Sequence, residues 1–219
     1  KLIMIKFAKF IQNKKKIILF DLDGVLIDSI SNMKLSWETC CKEFSINNSF
    51  DEYRKFIGIP FDDILKKLKI TKKKDLIKKK YRVVSNKNLS KIKLYKNTKK
   101  TLYFLSKYYA LGIVTSKEKK RTDIILRKLK ILKYFSVIVN PSLKLKGKPY
   151  PDQLLHALKK MKIKKKNAVY IGDVKYDQMA AKNAGIKFLF AKWGYGNLKI
   201  KNQIKNIVEL KKYAKLQDM

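Results

Sequence analysis

Five short apolar runs, separated by longer amphipathic stretches, constrain the fold of this chain more than any other feature. The runs are IILF (17–20), ALGIVT (110–115), SVIVN (136–140), AVYIGD (168–173) and KFLFA (187–191). They are apolar throughout instead of alternating, which is typical of strands that are buried on both faces. Helix-length segments lie between the later runs, and this alternation predicts a parallel sheet with helices on both sides. We therefore expect an α/β fold with a doubly wound parallel sheet.

One interval interrupts the alternation. The segment from about residue 29 to 93 reads as several helices without a clear strand. Apolar residues recur at helical spacing near its start, at Ile30, Met33, Trp37, Cys41 and Phe44. A helical insert after the first strand would lie over the carboxyl edge of the sheet, where open α/β sheets bind ligands. We expect residues 29–93 to form a cap over a core of residues 16–28 and 94–219, with residues 1–15 as an N-terminal extension.

Residue types at helix ends predict where the helices of this insert begin and stop. Ser49 and Glu52 have the spacing of a capping box, and Gly58 could end that short helix. Pro60 suits the start of the next helix. Thr71 could cap a third helix. The predicted apolar face of this third helix comprises Leu76, Ile77, Tyr81 and Val84.

The formal net charge of +37 is extreme for a chain of 219 residues. A charge of this size is one mark of nucleic-acid binding. Only four of the 54 basic residues are arginine, however, and bidentate contacts to bases and phosphates rely on arginine. The lysines are also spread along the whole chain, beside many Asn and Ile residues. This pattern favours solvated surface lysine, so we expect no specific nucleic-acid partner.

Cysteine and histidine usage argues against several other kinds of site. Cys40 and Cys41 are adjacent, a spacing that suits neither a structural disulfide nor a metal site, and free thiols fit a reducing cytoplasm. The single histidine, His156, lies in a helix-like stretch, which argues against Ser/His and Cys/His nucleophiles. No apolar run approaches the length that crosses a bilayer, and the basic N-terminal stretch lacks the features of a signal peptide. We predict a cytoplasmic monomer or homodimer without a membrane partner.

Polar residues stand where the apolar runs end. They are Asp21 and Asp23 after the first run, Thr115 and Ser116 after the second, Lys148 in the loop before the fourth, and Asp173 and Asp177 at and after its end. The carboxyl ends of parallel strands share one edge of the sheet, so these side chains should converge. Clustered carboxylates cannot all ionise cheaply without a cation. A hard divalent ion such as Mg²⁺ suits them best.

Each of these residue types has a use in phosphoryl chemistry. Residues i and i+2 at a strand end point the same way, so Asp21 and Asp23 can flank one reacting atom. One can attack, and the other can exchange a proton with the leaving group. Thr115 offers a hydroxyl and Ser116 a backbone N–H to a phosphate oxygen. Lys148 supplies a fixed positive charge for the phosphoryl group.

Together these segments resemble the four motifs of the haloacid dehalogenase-like phosphatases. The matching segments are DLDGV, the apolar strand that ends in Thr115, Lys148 in KGKPYPD, and GDVKYD. Their order and spacing match over about residues 16–197, and the position of the helical insert resembles the phosphoglycolate-phosphatase and β-phosphoglucomutase branch. The resemblance implies a Rossmann-like core and a Mg²⁺-dependent phosphatase that acts on a small phosphorylated metabolite.

The resemblance also implies roles for individual residues. Asp21 would attack phosphorus and form an aspartyl-phosphate, while Asp23 would protonate the leaving oxygen and then activate water. The implied metal site comprises Asp21, Asp173, the backbone carbonyl of Asp23 and Asp177, which would orient a metal-bound water or Lys148. The implied phosphate site comprises Thr115, Ser116 and Lys148.

Two other functions stay open at this point. A sugar phosphomutase would use the same aspartyl-phosphate, but it must close its cap, exclude water and hold a distal phosphate. The insert has no arginine pair for that purpose, only Arg54 and Arg82, which favours hydrolysis. A basic binding protein on an inactive scaffold is the alternative of another class, and the complete set of acids argues against it.

One motif departs from the family pattern. Thr115-Ser116-Lys117 stands where many relatives have Thr-Asn-Lys, within the phosphate loop.

Overall fold

A six-stranded parallel sheet forms the centre of the molecule, in a computed structural model that describes residues 15–215. The strands are β1 (Ile17–Phe20), β4 (Ala110–Val114), β5 (Val137–Val139), β6 (Ala168–Gly172), β7 (Lys187–Ala191) and β8 (Gln203–Ile204). Their order across the sheet is β5-β4-β1-β6-β7-β8, and every neighbouring pair is parallel. Because β1 is central, the residues that follow it lie in the middle of the carboxyl edge.

Helices cover both faces of this sheet, as the sequence predicts. The helices of the core are α5 (Thr98–Leu105), α6 (Lys119–Lys128), α7 (Asp152–Met161), α8 (Lys175–Ala184) and α9 (Leu210–Lys215). Short 3₁₀ helices span Leu132–Tyr134, Lys165–Asn167 and Ile207–Glu209. Ile18 and Phe20 pack with α5, α6 and α9 on one face, whereas Ile17 and Leu19 pack with α7 and α8 on the other. The expected doubly wound α/β fold is therefore confirmed.

The helical insert, residues 30–87, leaves and rejoins the core through two paired strands. Strand β2 (Ile27–Asp28) precedes it, and β3 (Lys93–Leu94) follows it after a 3₁₀ turn at Leu89–Lys91. The two strands are antiparallel, with Ile27 opposite Leu94. The insert holds α1 (Ile30–Phe44), α2 (Phe50–Arg54), α3 (Phe61–Lys67) and α4 (Lys74–Lys87). These helices share a hydrophobic cluster of their own around Trp37, Leu65 and Ile77.

The predicted helix ends within the insert are partly correct. Ser49 and Glu52 form the expected capping box at the start of α2, and α3 begins directly after Pro60. Gly58 does not end α2, which stops at Arg54. Its φ of +110° instead brings the backbone close to Val174, where a Cβ atom would lie 2.6 Å from Cγ2. Thr71 does not cap α4. The residue directly before this helix is Lys73, whose backbone is in the left-handed conformation.

Several expectations concern the termini, the membrane and the thiols. The predicted N-terminal extension, residues 1–15, lies outside the described residues except for Lys15. No helix within residues 15–215 has the length and apolar character that a bilayer crossing requires. Cys40 and Cys41 are free thiols, as expected, and burial raises their pKa values to about 12 and about 11. Neither thiol is therefore a ready nucleophile.

Candidate active site

The predicted site residues meet at the carboxyl edge of the sheet. Asp21 and Asp23 follow β1, and the backbone N–H of Asp21 donates to the carbonyl of Ile171 on β6 at 2.8 Å. Lys148, in the loop before α7, reaches the same place, as do Asp173 at the end of β6 and Asp177 in α8. All of these acids and the lysine are buried.

Lys148 lies between two of the carboxylates. Its Nζ atom is 2.8 Å from Oδ1 of Asp21 and 2.6 Å from Oδ1 of Asp177. Burial raises the pKa of Asp21 to about 7, and the charge of Lys148 only partly opposes that shift. Burial also acts to lower the pKa of the Lys148 amine, but the two neighbouring carboxylates outweigh it and raise that pKa. The lysine is therefore a permanent positive charge beside Asp21.

Asp177 uses both of its oxygens within the protein. Besides Lys148, its Oδ1 accepts a 2.9 Å hydrogen bond from the hydroxyl of Tyr170. Its Oδ2 accepts bonds from the backbone N–H groups of Asp173 and Val174, each at 3.1 Å. Every acceptor atom of this side chain is thus occupied, and its position relative to Lys148 is closely defined.

The two carboxylate oxygens of Asp173 differ in their hydrogen bonding. Its Oδ2 accepts a 2.7 Å hydrogen bond from the backbone N–H of Tyr195, whereas its Oδ1 is buried without a hydrogen-bond partner among the described residues. The carboxylate is enclosed by backbone, because a Cβ on Gly24 would lie 2.1 Å from Oδ2 and one on Gly194 would lie 2.2 Å from the Asp173 Cβ. Burial, with the charges of Asp177 and Asp21, raises its pKa.

Three carboxylates of this site lie close enough together to share a cation. One oxygen from each of Asp21, Asp173 and Asp177 falls within 4.8 Å of the others. The orphaned Oδ1 of Asp173 and the raised pKa of Asp21 both indicate charge that the protein alone does not neutralise. Carboxylate oxygens are the ligands that Mg²⁺ prefers. The donor set therefore suits the predicted ion.

Asp23 is held by residues that the motifs did not single out. Lys117 places its buried Nζ 3.1 Å from Oδ2, and the Ser29 hydroxyl donates to Oδ1. Ser29 in turn donates its backbone N–H to the hydroxyl of Tyr195 at 2.7 Å. Burial lowers the pKa of Lys117, and the charge of Asp23 works against that effect. The side chain of Asp23 is therefore oriented on both sides and does not join the three-carboxylate group.

Thr115 and Ser116 follow β4 at the same edge. The Thr115 hydroxyl accepts a 3.2 Å hydrogen bond from the backbone N–H of Lys117, which shapes the turn after the strand. The Ser116 hydroxyl donates to the carbonyl of Gly58 in the insert at 2.6 Å. The backbone N–H of Ser116 has no such bond among the contacts described for residues 15–215, so it can meet a phosphate oxygen.

A cavity of about 500 Å³ opens between this edge and the insert. Core residues Asp21, Asp23 and Thr115 line one side, and Met33, Tyr53 and Tyr81 of the insert line the other. Arg82 of α4 and Glu118 of the core form a bidentate ion pair at its rim, with N–O distances of 2.7 and 2.9 Å. The cavity is large enough for a small ligand, and the predicted catalytic carboxylates lie in its wall.

Comparison with known proteins adds to this geometry. A family model described as "haloacid dehalogenase-like hydrolase" matches residues 18–191. The match covers most of the chain and includes every predicted site residue.

The chain belongs to the haloacid dehalogenase-like hydrolase family.

Two named proteins and one solved structure are similar to this hydrolase over most of their length. A phosphoglycolate phosphatase from Aquifex aeolicus is 33% identical over 86% of this chain and 89% of its own length. The pyrophosphatase PpaX from Oceanobacillus iheyensis is 29% identical over 86% and 87%. A solved structure of a predicted phosphoglycolate phosphatase from Haemophilus somnus is 26% identical, with a TM-score of 0.80 over 90% of this chain and 97% of that one. The predictions of the family, the fold and a phosphatase-type enzyme are confirmed.

The sequence interpretation of this hydrolase missed four residues around the acids. Lys117 and Ser29 contact Asp23, Tyr195 contacts Asp173 and Ser29, and Tyr170 contacts Asp177. Lys117 directly follows Thr115-Ser116, so its place in that loop was a usable signal. Tyr195 lies 166 residues from Ser29 in the chain, and no local pattern connects the two. Arg54, one of the two arginines of the insert, is exposed and does not line the cavity.

Proposed function

We propose that this hydrolase is a Mg²⁺-dependent phosphatase that acts on a small phosphorylated metabolite through an aspartyl-phosphate on Asp21. The observation that carries the proposal is the buried arrangement in which Lys148 contacts both Asp21 and Asp177. Asp21 lines the cavity, as does Asp23 two residues further along the chain. A nucleophile, a proton carrier and a fixed cation are thus available around one point.

The proposed ion site uses Asp21 and Asp173 as side-chain ligands, together with the backbone carbonyl of Asp23. Asp177, whose oxygens are both hydrogen-bonded, has a positioning role towards Lys148 in this assignment. When bound, Mg²⁺ would supply Lewis-acid stabilisation of the negative charge on the phosphoryl oxygens.

In the first step, an Asp21 oxygen forms a bond to phosphorus while the bond from phosphorus to the ester oxygen breaks. Asp23 gives its proton to that leaving oxygen, so the product departs as a neutral alcohol. In the second step, a water oxygen attacks the phosphorus of the aspartyl-phosphate and Asp23 takes its proton. The bond between phosphorus and Asp21 then breaks, which releases inorganic phosphate and restores both carboxyl groups.

Lys148, Thr115 and Ser116 form the proposed phosphate site. The Lys148 ammonium stabilises charge that develops on the transferred group, and it needs no rearrangement because Asp177 already holds it. The Thr115 hydroxyl and the Ser116 N–H would donate to the remaining oxygens.

We also propose the division into a core domain of residues 16–28 and 94–219 and a cap of residues 29–93. Its support is the separate hydrophobic cluster of the insert and its attachment through β2 and β3. A cytoplasmic location, supported by the free thiols Cys40 and Cys41, and a monomeric or homodimeric state belong to the same proposal.

The relatives suggest which substrates to test first. Those cited above are named for phosphoglycolate and for pyrophosphate, and both compounds are small and carry a phosphoryl group. Family membership and the complete acid set argue against an inactive binding scaffold. The insert itself does not supply the arginine pair that a sugar phosphomutase would use for a distal phosphate, since it offers only Arg54, which is exposed, and Arg82, which is paired with Glu118.

The decisive experiment measures phosphate release from phosphoglycolate, pyrophosphate, hexose 1-phosphate and p-nitrophenyl phosphate, with Mg²⁺ and with excess chelator. We expect release only with Mg²⁺ or a close mimic, and full activity in chelator would contradict the metal assignment. In parallel, ³¹P spectra of hexose 1-phosphate, with and without a trace of the bisphosphate, distinguish hydrolysis from the phosphomutase reaction. Bisphosphate-dependent formation of the 6-phosphate with little free phosphate would identify a mutase instead.

A further inference from the structure

Arg121 is a buried cation in the cavity wall that the proposed chemistry does not use. It lies on α6 of the core, only 8% of its surface is exposed, and it lines the same cavity as Asp21 and Asp23. No carboxylate within residues 15–215 forms an ion pair with it. A buried charge without a partner is costly, so a residue of this kind needs a reason.

Residues of the insert hold this guanidinium from one side. Its Nη2 donates to the Ser85 hydroxyl, and its Cζ lies 5.4 Å from the centre of the Tyr81 ring. Tyr81 and Ser85 are one turn apart on α4, and Ser85 also donates to Oδ1 of Asn32 on α1 at 2.6 Å. The Arg121 Nε is buried and has no hydrogen-bond partner in the described part of the chain. An arginine has five N–H donors, and most of these are left for another group.

The acids near Arg121 are already neutralised by other cations. Asp23 pairs with Lys117 at 3.1 Å, and Glu118 pairs with Arg82 at the rim. Lys117 and Arg121 are both nearly buried, and the charge of Arg121 contributes to lowering the pKa of the Lys117 amine. Of these two buried cations, only Lys117 has an acidic partner within residues 15–215, and an anionic ligand would balance the charge of Arg121.

We propose that Arg121 binds a second anionic group of the substrate, a carboxylate or a second phosphate, while the first phosphoryl group occupies the site at Asp21 and Lys148. The inference rests on the proposed function and makes it more specific, because it restricts the preferred substrates to compounds with two oxyanions a short distance apart. The planar guanidinium suits such a group through paired N–H bonds. Because Ser85 and Tyr81 orient Arg121, the recognition site is complete only when the insert lies against the core.

The test compares substrates with one and with two anionic groups. Phosphoglycolate carries a carboxylate, pyrophosphate carries a second phosphate, and p-nitrophenyl phosphate carries neither. We expect Arg121→Gln to reduce the selectivity, the kcat/KM of a two-anion substrate divided by that of p-nitrophenyl phosphate, by about 10- to 100-fold. The loss should appear mainly in KM, and Arg121→Lys should restore part of it. Arg127→Gln, an exposed arginine on the same helix, is the matched control and should leave the selectivity intact.

The two substrate classes separate the sources of the anion. A loss confined to phosphoglycolate assigns a carboxylate site, and a loss confined to pyrophosphate assigns a phosphate site; both support the proposal. Equal losses with all three substrates would overturn it, because they indicate a purely structural role at the contact between α4 and α6. An unchanged selectivity would overturn it as well.

If the wild-type enzyme releases no phosphate, that result contradicts the proposed function but not the role of Arg121. A binding measurement then tests the role of Arg121. Calorimetric titrations of Asp21→Asn and of Asp21→Asn/Arg121→Gln with phosphoglycolate, pyrophosphate and inorganic phosphate measure recognition without turnover. We expect the Arg121 change to raise the Kd of a two-anion ligand by about 10- to 100-fold more than that of inorganic phosphate. Equal Kd changes for all ligands would refute the role of Arg121.

Discussion

The Ser116 hydroxyl donates a 2.6 Å hydrogen bond to the backbone carbonyl of Gly58. Ser116 belongs to the proposed phosphate loop of the core, and Gly58 belongs to the insert. The φ of Gly58 is +110°, and its Cα approaches Val174, the residue after Asp173. The insert therefore contacts the proposed phosphate loop through the backbone carbonyl of a glycine.

Gly58→Ala should destabilise the protein and reduce turnover. An L-residue is strained at this φ, and the added methyl would lie 2.6 Å from Val174 Cγ2, so we expect a loss of about 1–3 kcal/mol in the free energy of unfolding. Urea denaturation measures the loss. Gly185→Ala is the matched control, since its φ is +67° but the nearest atom, in Lys165, is 3.8 Å away. Equal losses in the two variants would show that the contact with Val174 contributes nothing.

Asp21→Asn should abolish turnover and leave no phosphoenzyme, because an amide is a poor nucleophile. Asp23→Asn should slow the reaction by about 10²–10⁴-fold, the usual contribution of a proton carrier, and most strongly with poor leaving groups. Rapid quenching followed by phosphate analysis of the protein detects the intermediate. Asp51→Asn, at an exposed position of the insert, serves as the control. Wild-type turnover in the Asp21 variant would exclude it as the nucleophile.

Lys148→Met should lower the free energy of unfolding of the metal-free protein by about 3–5 kcal/mol. The substitution leaves the buried carboxylates of Asp21 and Asp177 without their shared cation, which lies 2.8 and 2.6 Å away. Lys144→Met removes an exposed lysine from the same loop and should cost far less. Similar urea midpoints for the two variants would mean that the buried ion pairs do not stabilise the fold. Mg²⁺ should recover part of the loss, since it also compensates the carboxylates.

The stabilisation by Mg²⁺ should increase with pH. Asp21 has a pKa of about 7 in the folded metal-free protein and an ordinary value of 3.8. Between these values the folded state holds a proton that the unfolded state has lost, so this group makes the metal-free protein less stable as pH rises. Mg²⁺ requires the ionised carboxylate, and its binding competes with that proton.

The measurement is the rise in Tm caused by Mg²⁺, determined about one pH unit below and about one unit above the pKa of Asp21. We expect a clearly larger rise at the higher pH, and a smaller dependence on pH in Asp21→Asn. An identical rise at both values would contradict ligation by Asp21.

Duplex DNA should bind weakly and without sequence preference. The positive charge is spread along the chain and consists almost entirely of lysine, which supplies the counterion-release contribution but no base recognition. Fluorescence anisotropy with two unrelated duplexes should give equal affinities that decrease steeply from about 50 to 200 mM salt. Tight binding to one of the two sequences at the higher salt would support a nucleic-acid function.

The sequence was sufficient to predict five of the six strands of the central sheet and the acids at its edge. Strands such as Ala168–Gly172 are buried on both faces, so they appear as uninterrupted apolar runs, and the parallel arrangement brings Asp21 and Asp173 together. The two-residue strands β2, β3 and β8 carry no such signal. Their positions depend on hydrogen bonds between distant segments, which a local pattern does not contain.

The polar partners of the acids were harder to predict for a specific physical reason. Lysine is so frequent in this chain that buried Lys117 cannot be distinguished by type from solvated lysines nearby. Ser85 is polar and fully buried on the inner face of α4, where the helical pattern predicts only apolar residues. Leu76, predicted on that face, is 54% exposed. The position of Ser85 follows from its contact with Arg121 of the core, which is a property of the assembled structure.

Because Ile27 lies opposite Leu94, the two ends of the insert are neighbours. A short turn could therefore join β2 directly to β3, and a different set of helices could start and finish at the same two points. Gene-level exchange of this segment would change which molecules enter the cavity while it preserves the strand ends that carry Asp21, Asp173 and Lys148. In such a fold, substrate specificity and the catalytic reaction can evolve independently of each other.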